Sequence, residues 1–463
     1  DYVYPVHLLD GTLIQHVIYS GFFLFNDVLD AQKIHDALLA LLQIGDWKKL
    51  GGRLRYKNGK LEIHVPRKYT AERPAFRFAD ESFDCAIADH PSAGEFPLSS
   101  DGLCIKAPPA EIRQLAMGPN FAASIEEMID TDVPQLAVKI TTFTDATLIA
   151  TSYPHITWDA TGYLSMYKMV GLVLEGREDE VLPLLGAQHD ILAEMASKYK
   201  NSQGETPLLK RMNQETNQQP LPQISPGEER FVCIPIDIIQ QLQNRLQDEC
   251  SDDYLDGSQS LKEDELLLAW AIQQVARAEP DQRPLNLMNL INARLLIPAL
   301  TKVKGIYTQN MLLVASNNLP TETATGPIGP IAFSQRDCIA NLAAPDQLAT
   351  FLVSILGAIE ANIDTNALSN NTDSMPIIVN NLNKLTNRID IDFSSAIVRQ
   401  GQESSSRTNP LGTMTFGYVT NLSNPYPIPK LNVLGRFNGD TCWLFGELPK
   451  RAWELMEEYL ESL

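Results

Sequence analysis

The most informative segment of the chain is Thr147-Leu148-Ile149-Ala150-Thr151-Ser152-Tyr153-Pro154-His155-Ile156-Thr157-Trp158-Asp159-Ala160-Thr161-Gly162. Its first half alternates apolar and polar residues like a β-strand, and an amphipathic helical pattern runs from Tyr163 to Leu174. His155 thus stands at a strand end, with Asp159 where a helix N-cap would sit. Such a histidine can act as a general base, which predicts a group-transfer enzyme. A hydrogen-bonded loop histidine without a catalytic role is the alternative.

Size and charge narrow the class of protein. The chain has 463 residues, which is long for one hydrophobic core and suited to two or three. Its hydrophobic share of 44% and charged share of 20% are those of a globular protein. The net charge of −20 would repel nucleic acid, so no nucleic-acid partner is expected, and an anionic cofactor would need a local basic patch. No apolar run of about 18 residues occurs, so no membrane span is expected.

Cysteine and histidine spacing carries no metal or disulfide signal. The six cysteines are scattered without a C-x-x-C pair, which predicts reduced thiols in a cytoplasmic protein. The histidines other than His155 lack the spacing of metal ligands, and H-E-x-x-H is absent, so no metal site is expected.

Alternating strand and helix patterns predict an α/β protein in two halves. Asp30 is a candidate N-cap, Asn58-Gly59 indicates a hairpin turn, and residues 144–146 indicate a second hairpin that leads into His155. Residues 201–229 are rich in Gln, Asn, Pro and Ser, which is typical of a linker. We therefore expect an N-terminal domain over 1–200, a crossover over 201–229 and a C-terminal domain over 230–463, each a mixed sheet flanked by helices.

The second half has its own sequence of predicted elements. A strand is expected over 230–235 and a helix from about Ile238. Ser260-Leu261-Lys262-Glu263 has the pattern of a capping box before a further helix. A strand is then expected over 285–297, and a helix over 344–363 with Pro345 in its first turn.

Several separated segments agree with one known family. They are Leu8-Leu9-Asp10, Leu50-Gly51-Gly52-Arg53-Leu54, His155-x-x-x-Asp159, Ser260 to Trp270, Ile291-Asn292-Ala293-Arg294-Leu295 with Pro298-Ala299-Leu300, and Gly305-Ile306-Tyr307-Thr308-Gln309-Asn310. In this order they resemble the BAHD-type acyl-CoA-dependent acyltransferases of the chloramphenicol-acetyltransferase-like superfamily. The resemblance spans nearly the whole chain. It implies two chloramphenicol-acetyltransferase-like domains with a tunnel between them.

The resemblance also implies roles for single residues. His155 would be the general base, and Asp159 would be structural, holding the turn rather than the imidazole. The family's second signature, Asp-Phe-Gly-Trp-Gly, is matched by Thr415-Phe416-Gly417-Tyr418-Val419, in which Phe416 and Gly417 are structural matches. In the family the aspartate of that signature pairs with the strand arginine, here Arg294. Because Thr415 replaces it, Arg294 must find another partner or contact water.

Ser394 and the two lysines Lys302 and Lys304 are further candidate site residues, because of their positions relative to the family's segments. Phe393-Ser394-Ser395-Ala396 resembles the family's Thr-Ser-Trp strand, so Ser394 is the candidate donor to the oxyanion, and Ala396 in place of tryptophan predicts a wider acceptor pocket. Lys302 and Lys304 lie just beyond the Arg294 segment and are candidates for contacting the phosphates of the donor. Solvated lysines and an ordinary strand hydroxyl are the alternatives.

Together these features predict an acyltransferase of secondary metabolism. The expected donor is an acyl-CoA, first of all acetyl-CoA, used as a co-substrate, with no permanently bound cofactor. The expected acceptor is a hydroxyl or amine on a small hydrophobic molecule. No G-x-S-x-G elbow is present, which fits direct transfer, and a cytoplasmic monomer is expected. The alternative is a repurposed fold that isomerises, cyclises or binds a small hydrophobic molecule without CoA, suggested by the degenerate second signature.

Overall fold

A computed structural model of the 463-residue chain describes residues 1–96, 102–116, 121–122, 124–203, 227–248, 261–360, 373–386, 391–401, 407, 409–423, 428–437 and 441–463. The described strands are β1 Tyr2–Pro5, β2 Ile18–Phe25, β3 Asp27–Leu29, β4 Arg53–Lys57, β5 Lys60–Val65, β6 Arg77–Ser82, β7 Cys104–Lys106, β8 Ala137–Thr142, β9 Thr147–Pro154, β10 Leu184–Leu185, β11 Glu228–Pro235, β12 Leu285–Asn292, β13 Ile306–Tyr307, β14 Leu312–Leu319, β15 Met375–Asn381, β16 Ile397–Gln400, β17 Met414–Ser423, β18 Lys430–Phe437 and β19 Thr441–Leu448.

The described α-helices are α1 Ala31–Leu41, α2 Ile112–Ala116, α3 Ile125–Asp130, α4 Ala160–Leu174, α5 Ile191–Gln203, α6 Ile236–Asp248, α7 Glu263–Ala278, α8 Ala293–Leu296, α9 Pro298–Thr301, α10 Thr321–Thr325, α11 Ile328–Ala343, α12 Pro345–Glu360, α13 Asn383–Thr386 and α14 Lys450–Glu461. Short 3-10 helices include Gly45–Gly51 and Ser394–Ala396. Among the described residues no single helix is long and apolar enough to cross a membrane; only the pair α11 and α12, bent by 76° at the break between them, reaches that length and composition together.

Two mixed sheets form the frame, as the sequence predicted. One has five strands in the order β17-β2-β9-β8-β6, and the other has seven in the order β14-β12-β15-β18-β19-β11-β7. The pairs β6–β8, β12–β15 and β15–β18 are parallel, and the other pairs in these sheets are antiparallel. The fold class is therefore α/β with a mixed sheet in each half.

The two halves exchange strands. The five-stranded sheet of the first half takes β17 from the second half, and the seven-stranded sheet takes β7 from the first. We keep the division into 1–200 and 230–463 as a proposal, with these two strands crossing it. The proposed crossover 201–229 lies mostly outside the described residues, since α5 ends at Gln203 and β11 begins at Glu228.

Local sequence signals set the turns that lead to the site. Asn58 and Gly59 have φ values of 51° and 79°, the left-handed pair that a two-residue hairpin between β4 and β5 requires. The second predicted hairpin joins β8 to β9. Asp30 caps α1, where its Oδ1 accepts a hydrogen bond of 3.0 Å from the Lys33 backbone N–H. These hairpins and the cap are confirmed.

Strand β9 is buried along its whole length because layers cover both of its faces. Its polar side chains are therefore hydrogen-bonded inside the protein rather than solvated. Thr147 Oγ1 donates to the Asp27 carbonyl at 2.9 Å, Ser152 Oγ donates to the Ala116 carbonyl at 3.0 Å, and Thr151 bonds the Tyr167 hydroxyl. This strand end is thus a rigid support for the residue that follows it.

Two predicted boundaries differ in the second half. The strand expected over 285–297 ends at Asn292, because the Asn292 side chain accepts a hydrogen bond of 3.0 Å from the Arg294 N–H and caps α8. Arg294 therefore lies on a short helix rather than on a strand. Helix α7 begins at Glu263, where Glu265 accepts from the Lys262 N–H at 2.9 Å. Ser260 of the predicted capping box lies outside the described residues.

Candidate active site

His155 follows directly on the last residue of β9. Its backbone N–H donates to the Val17 carbonyl at 2.9 Å, which extends the pairing of β9 with β2 by one more residue. The turn of residues 156–158 then leads to Asp159, the N-cap of α4, as expected. A buried strand and a capped helix thus fix the two ends of a four-residue turn that carries the imidazole.

The ring of His155 has a defined tautomer. Its Nδ1 lies 3.2 Å from the Trp158 carbonyl oxygen, and because a carbonyl can only accept, Nδ1 carries the proton. Nε2 then keeps its lone pair, and no group of the described chain hydrogen-bonds to it. Burial lowers the pKa of His155, and its contacts with backbone carbonyls and carboxylates offset this only in part. The imidazole is therefore neutral near pH 7.

Asp159 points away from the imidazole and ties the turn to the second half. Its Oδ1 accepts from the Gly162 N–H at 3.1 Å, and its Oδ2 accepts from Arg294 Nη1 at 2.7 Å and from the Met311 N–H at 3.0 Å. The residue is 2% exposed. Three donors thus satisfy a buried carboxylate, and none of them is His155.

This contact identifies the partner of Arg294. The resemblance implied a partner in the second signature, but the ion pair joins Arg294 to Asp159 of the first signature instead. The other end of the guanidinium donates to the carbonyls of Tyr307 at 2.8 Å and Gln309 at 2.6 Å. Loss of the second-signature aspartate therefore leaves Arg294 paired and does not disturb the histidine turn.

Gly162 explains the shifted glycine of the first signature. A Cβ at this position would lie 2.4 Å from the Thr308 carbonyl oxygen, so the first turn of α4 packs directly on the backbone of the second half. The position after Asp159 makes no such approach, since Ala160 lies half-buried on a cavity wall. The close approach therefore needs glycine two residues later than the family pattern has it.

A cavity of about 840 Å³ runs past His155 and is lined from both main sheets. One side, the apolar wall, is formed by Leu295, Leu312, Ile339, Phe351 and Ile355. Another side, the polar wall, is formed by Lys262, Asn380, Asn381, Lys430 and Asn432. A cavity between the two sheets is thus present, and one of its walls is apolar whereas another is polar.

Ser394 does not reach this cavity, so its predicted role at the oxyanion is wrong. It lies exposed in the 3-10 helix Ser394–Ala396, and its N–H bonds Asp392 at 2.8 Å. Ala396, which stands where the family has tryptophan, is buried and accepts from the Asp30 N–H at 2.8 Å. The segment is held here because Asp27 binds the N–H groups of Gly401 and Gly412 and draws the chain onto β3.

Lys302 and Lys304 are also placed away from the cavity. Both are exposed, and neither lines it. The strand before them ends at Asn292, and α8 and α9 then carry the chain to the surface. Among the described residues the basic side chains that do line the cavity are Lys262, Arg294, Arg336 and Lys430.

The second signature lies in the core and on the cavity wall. Phe416 is buried, with ring centroids 4.8 Å from Trp443 and 5.5 Å from Phe231. Gly417 lines the cavity, and a Cβ there would lie 2.9 Å from a ring carbon of Phe23. Thr415 Oγ1 donates to the Leu24 carbonyl at 3.0 Å, across the junction of β17 and β2. This segment joins the two halves.

Two residues at the site had no predicted role. Asp10 is 2% exposed, and its Oδ1 accepts from the backbone N–H of Asn310 at 2.8 Å and from its Nδ2 at 2.7 Å. The same Nδ2 donates to the His155 carbonyl at 2.8 Å. Both residues belong to segments that resemble the family, but only the fold brings them together. Within the described part of the chain, no group of three or more His, Cys, Asp or Glu could hold a metal ion.

Comparison with known proteins supports the assignment. No family model matches the chain. The chain is 27% identical over its full length to acetyltransferase pyiB of Pyricularia grisea, covering 94% of that protein, and 25% identical over its full length to O-acetyltransferase PaAT-2 of Phomopsis amygdali, covering 98%. Acetyltransferase sphE of Aspergillus fumigatus is 28% identical over the full chain, with 95% of that protein covered.

Solved structures share the fold at low identity. TRI101 of F. sporotrichioides, complexed with coenzyme A and T-2, matches 98% of this chain and 96% of its own, with a TM-score of 0.65 and 12% identity. The first condensation domain of the CDA synthetase matches 98% and 92%, with a TM-score of 0.58 and 12% identity. The resemblance predicted from the sequence is confirmed by these relatives: the chain is similar to fungal acetyltransferases, is an acyltransferase, and has the two-domain α/β fold of TRI101.

Proposed function

We propose that the protein transfers an acyl group, acetyl first of all, from acyl-CoA to a hydroxyl or amine of a small secondary metabolite, with His155 as the general base. The observation that carries this is the state of the imidazole on the cavity wall. Nδ1 is committed to the Trp158 carbonyl, so Nε2 is the nitrogen available to a substrate. The lowered pKa of His155 keeps that nitrogen unprotonated.

The reaction follows from this geometry. The acceptor O–H or N–H gives its proton to Nε2 as its oxygen or nitrogen attacks the thioester carbonyl carbon. The tetrahedral intermediate then collapses, the C–S bond breaks, and the sulfur takes the proton back from Nε2 as free thiol. Positioned general-base catalysis of this kind contributes about 100- to 10,000-fold. The thioester is already activated, so no covalent enzyme intermediate is needed.

The polar wall is suited to the donor. Lys262 is exposed at the cavity mouth, and within the described chain no carboxylate lies within ion-pair distance of it. Lys430 is 3.2 Å from Glu447. In a chain of net charge −20, these lysines supply cationic groups for the phosphates of a CoA donor, in a cavity that Asp264 and Glu265 also line. Lys262 and Lys430 thus replace Lys302 and Lys304 as candidate phosphate contacts.

The apolar wall is suited to the acceptor. It is formed by aliphatic and aromatic side chains, so burial there favours a hydrophobic molecule that exposes a single polar group to His155. Structures related to this fold carry coenzyme A together with T-2 mycotoxin or deoxynivalenol, which supports a small-molecule acceptor beside a CoA donor.

Release of free thiol tests the proposal. The protein is incubated with acetyl-CoA and a panel of hydrophobic alcohols and amines, and thiol is measured over time. We expect acceptor-dependent release that His155→Ala lowers about 100-fold or more, while His189→Ala, at an exposed histidine, keeps wild-type rates. Equal release by wild type and His155→Ala contradicts the base role. Turnover of a cyclisation or isomerisation substrate without CoA supports the alternative instead.

A further inference from the structure

We propose that Asn310 is a positioning residue for His155, and that Asp10 orients the Asn310 side chain for this task. The proposal rests on the proposed role of His155 as the base. Asn310 is 1% exposed, and its Nδ2 lies 2.8 Å from the His155 carbonyl oxygen and 2.7 Å from Asp10 Oδ1. The three residues are far apart in the sequence and form one hydrogen-bonded chain that ends on the backbone of the base.

The orientation of the Asn310 amide follows from its partners. Both groups near Nδ2, a carbonyl and a carboxylate, accept hydrogen bonds, and the two amide hydrogens satisfy one each. A flipped amide would place its own oxygen against both acceptors. The Asn310 backbone N–H donates to the same Asp10 oxygen at 2.8 Å, so the carboxylate fixes main chain and side chain together.

Asp10 stays anionic in its buried position. Burial opposes its ionisation, but the hydrogen bond and charge of His7, the charge of Lys49 and the Asn310 hydrogen bond together lower the pKa of Asp10. His7 Nδ1 lies 3.5 Å from Asp10 Oδ2, and Lys49 Nζ lies 3.3 Å from the same ring nitrogen. An anion can only accept, so it holds Asn310 in the orientation that serves His155.

Asn310 completes the support of the His155 main chain. The first half of the chain holds the His155 N–H through the Val17 carbonyl, and the second half holds the His155 carbonyl through Asn310. With both peptide groups fixed, and Nδ1 bonded to the Trp158 carbonyl, the ring has one position relative to the cavity. A shift of about 1 Å in a reacting group can cost about 100-fold in rate, so this support bears on kcat rather than on substrate binding.

The test compares Asn310→Ala and Asp10→Ala with Asp10→Asn in the full-length protein. For the two alanine variants we expect kcat to fall roughly 10- to 100-fold, with the KM for acetyl-CoA within about threefold of wild type because the polar wall is untouched. Asp10→Asn keeps an acceptor oxygen for Asn310 and should restore most of kcat. The matched control is Asn317→Ala, which loses buried hydrogen bonds to Ser334 and Gln335 away from His155.

A second measurement does not depend on turnover. Diethyl pyrocarbonate modifies neutral imidazole, and the pH dependence of His155 modification gives its pKa. In Asn310→Ala the freed turn should be modified faster, with a pKa nearer the ordinary value of about 6.5, whereas Asn317→Ala should match wild type. If Asn310→Ala does not fold, the modification rate and pKa of His155 are compared between Asn310→Ser and Asn317→Ala instead.

The outcomes separate the two proposals. Equal kcat, modification rate and pKa of His155 in Asn310→Ala and Asn317→Ala, at similar loss of thermal stability, would overturn the positioning role. A wild-type protein without acyl-CoA turnover, in which Asn310→Ala still alters His155 modification, would overturn the proposed function and retain the positioning.

Discussion

At the scale of single residues, His155 and Asp159 lie only four positions apart but have different surroundings. The His155 Nδ1 hydrogen-bonds to a backbone carbonyl, and its Nε2 has no partner in the described chain. Both carboxylate oxygens of Asp159, in contrast, accept hydrogen bonds, one from the N-terminus of α4 and the other from Arg294. Burial lowers the pKa of His155, and the charge of Asp159 opposes this in part. Asp159 makes no hydrogen bond to the imidazole within the described chain, so it acts on His155 through its charge and through the turn that both residues share.

The pH dependence of activity tests the state of His155. Burial lowers the pKa of this histidine, and its neutral form is the base that we propose, so activity should persist to lower pH than an ordinary histidine allows. In a profile of kcat/KM against pH, we expect the acid limb to have an apparent pKa below about 6.5. A limb at or above that value, with the donor shown to be stable and bound, would contradict a buried neutral base.

Breaking the buried ion pair of Asp159 and Arg294 should lower the free energy of unfolding. Asp159→Asn leaves the Arg294 guanidinium in a mostly buried site without its counter-charge, and such losses cost about 3–5 kcal/mol in unfolding free energy. Urea denaturation measures this loss of stability. The control is Arg177→Ala, which removes an exposed ion pair and should leave the urea midpoint nearly unchanged. Similar midpoints for the two variants would show that Asp159 and Arg294 do not support the turn.

At the scale of elements, one segment departs from the family pattern, and the fold accounts for it. Three described residues between β16 and β17 bond to Asp27, which is fully buried on β3. Asp27 accepts from Arg407 Nη2 at 2.6 Å, from the Gly412 N–H at 2.7 Å and from the Gly401 N–H at 3.1 Å. This clamp, formed by Asp27 with Gly401, Arg407 and Gly412, links the end of β16 to the residues before β17. The segment that resembles the family's Thr-Ser-Trp strand therefore lies next to β16, which pairs with β3, and does not line the cavity.

The Asp27 clamp predicts a pH-dependent stability difference. Burial opposes the ionisation of Asp27, but Arg407 and the two glycine N–H groups together lower its pKa. The ionised clamp should therefore stabilise the fold above about pH 3.9, the ordinary pKa of an aspartate, and lose this contribution as pH falls through the lower folded-state pKa.

Denaturant titrations of wild type and Asp27→Asn at several pH values measure this contribution. We expect the variant to be less stable by about 3–5 kcal/mol at pH 7, with a gap that narrows in acid. A gap that is constant with pH would contradict the ionised clamp. Glu62→Gln, at a half-buried carboxylate on β5, serves as the control.

At the scale of the whole molecule, the two halves depend on each other through β17, β7 and the contacts of residues 308–311 with the histidine turn. The cavity takes its walls from both sheets. Hence the cavity is complete only when the halves are joined, which also brings the polar wall and the apolar wall to a single histidine.

Strand exchange predicts that the first half does not fold by itself. A chain of residues 1–200 lacks β17, so β2 keeps β9 but loses its other partner along Ile18–Phe25 and exposes an apolar edge. We expect this fragment to aggregate or to bind a hydrophobic dye, and the full chain to unfold in one transition. A cooperative thermal transition in the isolated fragment would contradict this dependence.

Local sequence patterns were enough to predict the α/β class, the Asn58-Gly59 hairpin, the Asp30 and Asp159 caps, and the strand–histidine–helix turn. Each depends on periodicity, caps or turn residues within about ten positions, where chain connectivity already brings the groups together. The resemblance added the reaction class. The contacts between distant groups became known only from the tertiary structure: Arg294 pairs with Asp159, Asn310 bonds both Asp10 and the His155 carbonyl, and Ser394, Lys302 and Lys304 do not line the cavity. Contacts between residues 100 or more positions apart depend on sheet order and on the packing of buried charges, and local sequence patterns carry neither.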